Sequence, residues 1–194
     1  MIDILLFILF AGIPYFVLFE NTLSYKPKNV LFISMLLLLA GIVISSINPI
    51  KFDETFIVLA LFTSIFATYK AFNTTNFYRF GNYLIFVNAP LFMMFAHTNM
   101  FYQISLLVAL VGIYLIGNFY TKNYRSANYH SITGVIISTP YIGIYMMVYL
   151  IATALYPPFP GAIFLFNNII HLDGSYLWYG VIAFVFFSSF LLSM

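Results

Sequence analysis

The chain has 194 residues, of which 63% are hydrophobic and 6% charged, and its formal net charge is +2. A soluble domain clothes its surface with roughly 25% charged residues, so seven Lys and Arg with five Asp and Glu exclude a water-exposed globule, and the fitting solvent is the bilayer. So small a net charge excludes nucleic acid as a partner, and the absence of cysteine excludes disulfides, iron–sulfur ligation and thiolate metal sites within the chain. The expected fold class is all-α: a polytopic transmembrane helical bundle forming a single integral membrane domain over residues 1–194.

A membrane helix needs about 20 apolar residues, and polar or Pro-rich breaks divide the sequence on that scale. The first segment, 3–20, opens on Asp3 without Lys or Arg and is predicted as a retained span, not a cleaved signal. It ends at Glu20-Asn21, and the loop Tyr25-Lys26-Pro27-Lys28 leads to a second span over 29–48. After Asn48-Pro49 and the charged Lys51, Asp53 and Glu54, a third span covers 55–72. The fourth, 79–97, follows Asn73-Thr74-Thr75-Asn76 and carries Asn88-Ala89-Pro90 at its middle; the fifth covers 101–120 and precedes the most polar loop, 121–131. A sixth span, 134–156, meets Pro157-Pro158-Phe159-Pro160-Gly161, followed by a short apolar piece at 162–170 and a last span at 176–194. The pattern predicts about seven hydrophobic segments, with a proline-broken half-helix near residue 160.

Lys and Arg in short loops stay on the cytoplasmic side. Lys26, Lys28, Lys70, Arg79, Lys122 and Arg125 share one side, whereas Lys51 lies opposite beside Asp53 and Glu54. The N-terminus is therefore expected outside, with loops 21–28, 73–79 and 121–133 in the cytoplasm. Tyr120, Tyr124 and Tyr129 suit one aromatic belt, and Tyr156, Tyr176 and Trp178 the other. Small residues four apart, Gly41 with Ser45 and Ala60 with Ser64, mark helix faces that admit close neighbours.

Function is sought where the apolar rule breaks, because a polar or helix-breaking residue at membrane depth faces protein or a water path. At Pro158 and Gly161 the break opens either a re-entrant half-helix, with free amides for an ion or water, or an interfacial loop before a surface helix. Pro90 deprives the Phe86 carbonyl of its usual donor beside the Asn88 amide, which predicts a kink with a polar pocket or with the amide bonded to a neighbouring helix. Tyr141, Tyr145 and Tyr149, four apart, share a face of the sixth span, either as a hydroxyl ladder or as aromatic packing against a helix or subunit. Glu20, Lys70, His97, His130, His171 and Asp173 fall near span ends, where solvated anchoring competes with a place on an ion path. No catalytic residues and no metal site are expected, since no His/Glu pair has ligand spacing and no nucleophile motif or phosphate loop occurs. The chain is not expected to be an enzyme on its own.

Over residues 120–194 the order Tyr124-Arg125, Ser131-Ile132-Thr133-Gly134, Thr139-Pro140, a long apolar helix, Tyr156-Pro157-Pro158-Phe159-Pro160-Gly161 and Phe164-Leu165-Phe166 resembles the late spans of antiporter-like, proton-conducting membrane subunits. These occur in respiratory NADH:quinone oxidoreductase, membrane hydrogenases and Mrp-type antiporters. The family has about twice as many spans and an axis of buried Lys, Glu and His, which this chain lacks. The resemblance therefore implies a shortened relative that completes a complex without conducting protons through lysines of its own. The expected function is a membrane-embedded subunit of a larger ion-translocating or electron-transfer complex, with other membrane subunits and the lipid bilayer as partners. A small autonomous transporter or channel, and a structural or assembly protein, stand as alternatives. No cofactor is expected within the chain; bound lipid is, and haem and quinone stay open as ligands.

Overall fold

The computed structural model describes residues 2–11, 26–96, 101–128, 139–157, 159–171 and 176–193. Among them are nine helices and no strand: α1 Ile2–Ala11, α2 Pro27–Ile47, α3 Glu54–Phe72, α4 Phe77–Val87, α5 Ala89–Met94, α6 Phe101–Tyr124, α7 Pro140–Thr153, α8 Pro160–Ile170 and α9 Tyr176–Ser193. The all-α expectation holds, and α2, α3, α6 and α9 are long and apolar enough to cross a membrane. The segments predicted as spans one, four and six appear as shorter helices: α1, the pair α4 and α5, and α7. Residues 12–20, 97 and 134–138 of those spans lie outside the described residues.

Local chemistry sets the helix ends. Pro27, Pro140 and Pro160 each open a helix in its first turn, where the missing N–H has no intrahelical role. Asn76 caps α4, its Oδ1 accepting from the N–H groups of Tyr78 at 3.0 Å and Arg79 at 3.4 Å. Helices thereby reach into the segments predicted as loops: α2 from Pro27, α4 from Phe77, and α6 to Tyr124 with Lys122 in its last turn, where a cation suits the carbonyl end. Arg125 then adopts φ 56°, the left-handed conformation that turns the chain away from a helix end.

The broken pair α4 and α5 is the axis of the bundle. α4 packs on α2, α3, α6 and α9, while α5 packs on α1, α3 and α9. Every residue from 80 to 96 is buried. The surrounding helices each keep an apolar outer face, including Phe32 and Leu36 on α2, Phe62 and Phe66 on α3, and Val108 and Leu115 on α6. Such a coat belongs in lipid. Outside this ring, α7 and α8 lean on α6.

Glycines allow the closest approaches. Gly41 lies under Phe10, where a Cβ would stand 2.7 Å from the ring, and Gly117 lies under Tyr78, where the corresponding distance is 2.9 Å. At Gly112 the ring of Tyr149 occupies the place of a Cβ and joins α7 to α6. The predicted small-residue faces also turn inward: Ser45, Ala60 and Ser64 are fully buried. Tyr120 departs from its predicted place in an aromatic belt; it is buried and stacks on Phe77 with centroids 5.3 Å apart.

Charge is segregated between the two ends. Phe77 N–H donates to Ala127 O at 3.1 Å, and Lys28 Nζ donates to Asn118 Oδ1 at 2.7 Å. These links bring the amino ends of α2 and α4 and the carboxyl ends of α3 and α6 together, and with them Lys26, Lys28, Lys70, Arg79, Lys122 and Arg125. Asp3, Lys51 and Asp53 border one cleft at the opposite end, next to Glu54.

Gly112→Ala is expected to destabilise the detergent-solubilised protein by about 1–3 kcal/mol through overpacking against Tyr149. Gly180→Ala, where nothing lies within 4 Å of an added Cβ, is expected to be neutral or stabilising. Thermal unfolding of the two variants side by side measures the difference.

Candidate functional site

The sequence pointed to Asn88 and Pro90, and there the central helix breaks. Pro90 lies in the first turn of α5 and has no N–H to return to the preceding turn. In hydrocarbon no water replaces a missing donor, so each freed carbonyl needs a partner from within the protein.

Side chains supply most of those partners. The Asn88 N–H is shared between the Leu84 and Phe86 carbonyls, so the Phe86 oxygen that Pro90 deprives gains a donor two residues away. Asn88 Nδ2 donates to Leu84 O at 2.8 Å, and Ser64 Oγ crosses from α3 to donate to Val87 O at 2.6 Å. The hydroxyl of Tyr102 on α6 donates to Asn88 Oδ1 at 2.6 Å, and Gln103 Nε2 beside it donates to Phe92 O at 3.1 Å. Ser64, Asn88, Tyr102 and Gln103 are all fully buried. Apolar rings close the group off: Phe92 lies 6.1 Å from the Tyr102 ring and 6.0 Å from that of Phe10. One turn and a half along α4, Ser34 Oγ donates to Asn82 Oδ1 at 2.6 Å, a second buried polar link, from α2. Gln103 Oε1 is buried and receives no hydrogen bond from the described residues.

Of the two arrangements expected at Asn88, the amide bonded to a neighbouring helix is the one found. Ser64, Tyr102 and Gln103 complete it. Ser64 carried a signal as a small residue; Tyr102 and Gln103 lie at the start of a predicted span, where a polar residue does not break the apolar rule, and the sequence did not single them out.

The remaining candidates are dispersed. Tyr141 and Tyr145 point outward, 77% and 56% exposed, whereas Tyr149 turns against Gly112. Four residues advance a helix by slightly more than one turn, about 40°, so Tyr149 lies about 80° around α7 from Tyr141, and only this end of the tyrosine stripe reaches α6. Gly161 is buried with Ser105 Oγ 3.1 Å from the place of its Cβ, and His171 is exposed at the end of α8. Lys70 is half-buried in the last turn of α3. Pro158, Asp173, Glu20, His97 and His130 lie outside the described residues. Among the described residues no three His, Asp or Glu side chains converge as metal ligands.

The 11-residue α8 is about 16 Å long at about 1.5 Å per residue, half a bilayer. It buries Gly161, Ala162, Leu165 and Asn168 and exposes the apolar Ile163, Phe166 and Ile170. Between α6, α7 and α8 runs an apolar groove of about 340 Å³, bordered by Phe101, Val108, Tyr149, Phe159 and Phe164 with Ser105 as its hydroxyl.

No protein-family model matches the chain, nor does any of the curated proteins or solved structures compared with it.

Asn88→Leu removes the acceptor of a buried phenol and is expected to cost about 1–3 kcal/mol. Adding Tyr102→Phe removes the stranded hydroxyl and is expected to recover part of that loss. A double-mutant cycle read from thermal unfolding in mild detergent checks it.

Proposed function

We propose that the chain is a membrane-embedded subunit of a larger ion-translocating or electron-transfer complex, of about seven hydrophobic segments, with α8 set in the membrane as a half-helix. The outward face of α7 carries this reading. Tyr141 and Tyr145 present phenol groups on the outside of a bundle whose neighbouring surface is apolar. A hydroxyl that faces lipid chains has no acceptor, whereas a partner helix supplies both an acceptor and a flat surface for the ring. Tyr145 lies one turn deeper than Tyr141 along α7, away from the headgroups that accept from an interfacial tyrosine.

Three further features support it. The polar groups at the broken axis are turned on one another, which gives them a structural task. The resemblance of residues 120–194 to antiporter-like subunits supplies the class of complex. The apolar outer residues of α8, Ile163, Phe166 and Ile170, suit lipid or a partner helix better than water. The basic end of the bundle is then cytoplasmic and the acidic end with Asp3 outside.

One observation favours a second reading, a small autonomous channel or transporter. A discontinuous helix at the centre of a bundle, with a buried carboxamide oxygen at Gln103 that no described residue donates to, has the form of a transporter's midplane site.

Mild-detergent extraction of the tagged native protein, followed by native-gel mass and mass spectrometry, separates the two. The expected result is stoichiometric co-purification of larger membrane subunits, reduced by Tyr145→Leu together with Tyr141→Leu. A lone or homo-oligomeric species that conducts ions in liposomes, with flux altered by Gln103→Leu, contradicts the subunit reading.

A further inference from the structure

The basic end of the bundle holds one ammonium group in a defined position. Lys28 Nζ donates to Asn118 Oδ1 at 2.7 Å and stands 5.7 Å from the centre of the Tyr114 ring. That ring is held in turn, edge-on to Tyr78 at 5.9 Å on one side and 6.2 Å from Phe32 on the other. A cation on a ring face is attracted by its quadrupole, and an ammonium has three donors, of which Asn118 takes one. The geometry leaves the others for an anion.

Directly below this group runs an exposed apolar seam between α2 and α6. Phe32, 6.2 Å from the Tyr114 ring of α6, lies one turn beyond Lys28 on α2 and Leu36 one turn further, and both are exposed. A positioned ammonium at the head of an apolar strip matches a phospholipid, with phosphate above and acyl chain below. The charge balance selects the headgroup. Six cations gather at this end against one carboxylate that the span pattern assigns to it, Glu20, which lies outside the described residues; Asp3, Asp53 and Glu54 stand at the other. Lys122 and Arg125, exposed at the carboxyl end of α6, lie a turn or more beyond Asn118 and add to the local potential.

We infer that Lys28, Asn118 and Tyr114, with the Phe32 and Leu36 seam, form a binding site for the phosphate and one acyl chain of an anionic phospholipid. Asn118 and Tyr114 fix the ammonium before the lipid arrives, so little side-chain freedom is lost on binding. A zwitterionic lipid brings the same chain and the same phosphate, but its quaternary ammonium faces the six cations. The site is independent of whether the chain joins a larger complex.

Native mass spectrometry of the delipidated full chain in mild detergent tests this, with phosphatidylglycerol and phosphatidylcholine of identical acyl chains as the probes. Loss of one cation contact near a membrane surface changes binding about fivefold. Wild type is therefore expected to retain phosphatidylglycerol at least about fivefold better than phosphatidylcholine. Lys28→Gln is expected to reduce that preference by about fivefold, Lys28→Arg to keep most of it, and Lys51→Gln, at the opposite end, to leave it unchanged. Asn118→Ala leaves the charge and removes the anchor, and a reduced preference there supports the same conclusion if Lys28→Gln does not fold. Equal retention of the two lipids overturns the proposal, as does a preference that survives both Lys28→Gln and Asn118→Ala, the mark of diffuse rim charge. Inorganic phosphate that displaces phosphatidylglycerol at equal concentration overturns it in favour of a soluble anion, and release of a co-purified protein on delipidation, with no lipid rebinding, in favour of a protein contact.

Discussion

A carbonyl in hydrocarbon has no water to turn to, and the break in the central helix at Asn88 is governed by that fact. Pro90 withholds the N–H that Phe86 O would take, and around the break the oxygens of Phe86, Leu84 and Val87 receive donors from Asn88 and Ser64. A helix facing lipid cannot offer them. The broken segment is therefore enclosed on all sides, with α3 contributing Ser64 and α6 contributing Tyr102 and Gln103. The burial of residues 80–96, the ring of helices around them and the outward apolar coat follow from satisfying one turn of backbone.

Close packing conveys that constraint outward. Without a hydrophobic force between helices in lipid, association depends on shape, polar links and small residues. Here the joints are glycine under aromatic: Gly41 beneath Phe10 ties α2 to α1, Gly117 beneath Tyr78 ties α6 to α4, and Gly112 beneath Tyr149 ties α7 to α6. The outermost helices have fewer such ties. α7 touches the core chiefly through Ile142, Met146 and Tyr149 and leaves Tyr141 and Tyr145 outside, so the surface most in need of a partner is also the one least committed to the bundle.

The solvent and the rough positions of most helices were legible in the sequence. Composition identifies the bilayer. The starts at Pro27, Phe77 and Pro160 fall in segments predicted as loops or breaks, and Pro140 lies inside a predicted span, because a proline in the first turn or an Asn cap opens a helix where polarity suggests a loop. Asn88 and Pro90 were legible as a break because both violate an apolar run. Which helix is central was not, since the hydropathy of α4 and α5 resembles that of helices bathed in lipid, and membrane helices do not separate their inner and outer faces by polarity as soluble ones do. Tyr102 was missed for a related reason: at the start of a span a tyrosine reads as an interface anchor, and only the approach of α6 to the broken axis places its hydroxyl on Asn88. The tyrosine spacing on α7 identified a shared face but not its direction, which is decided by Gly112 accepting one ring and not three.

Enclosure of the broken helix is the central claim, and the absence of cysteine from the sequence makes it directly measurable. Single cysteines at Phe80, Val87 and Met93, compared with Phe62, Val108 and Leu115, are to be treated in native membranes with a small lipid-soluble thiol reagent, before and after denaturation. The first three are expected to react only after denaturation and the second three in the native state; equal native reactivity of the two sets would show that the broken helix is not enclosed.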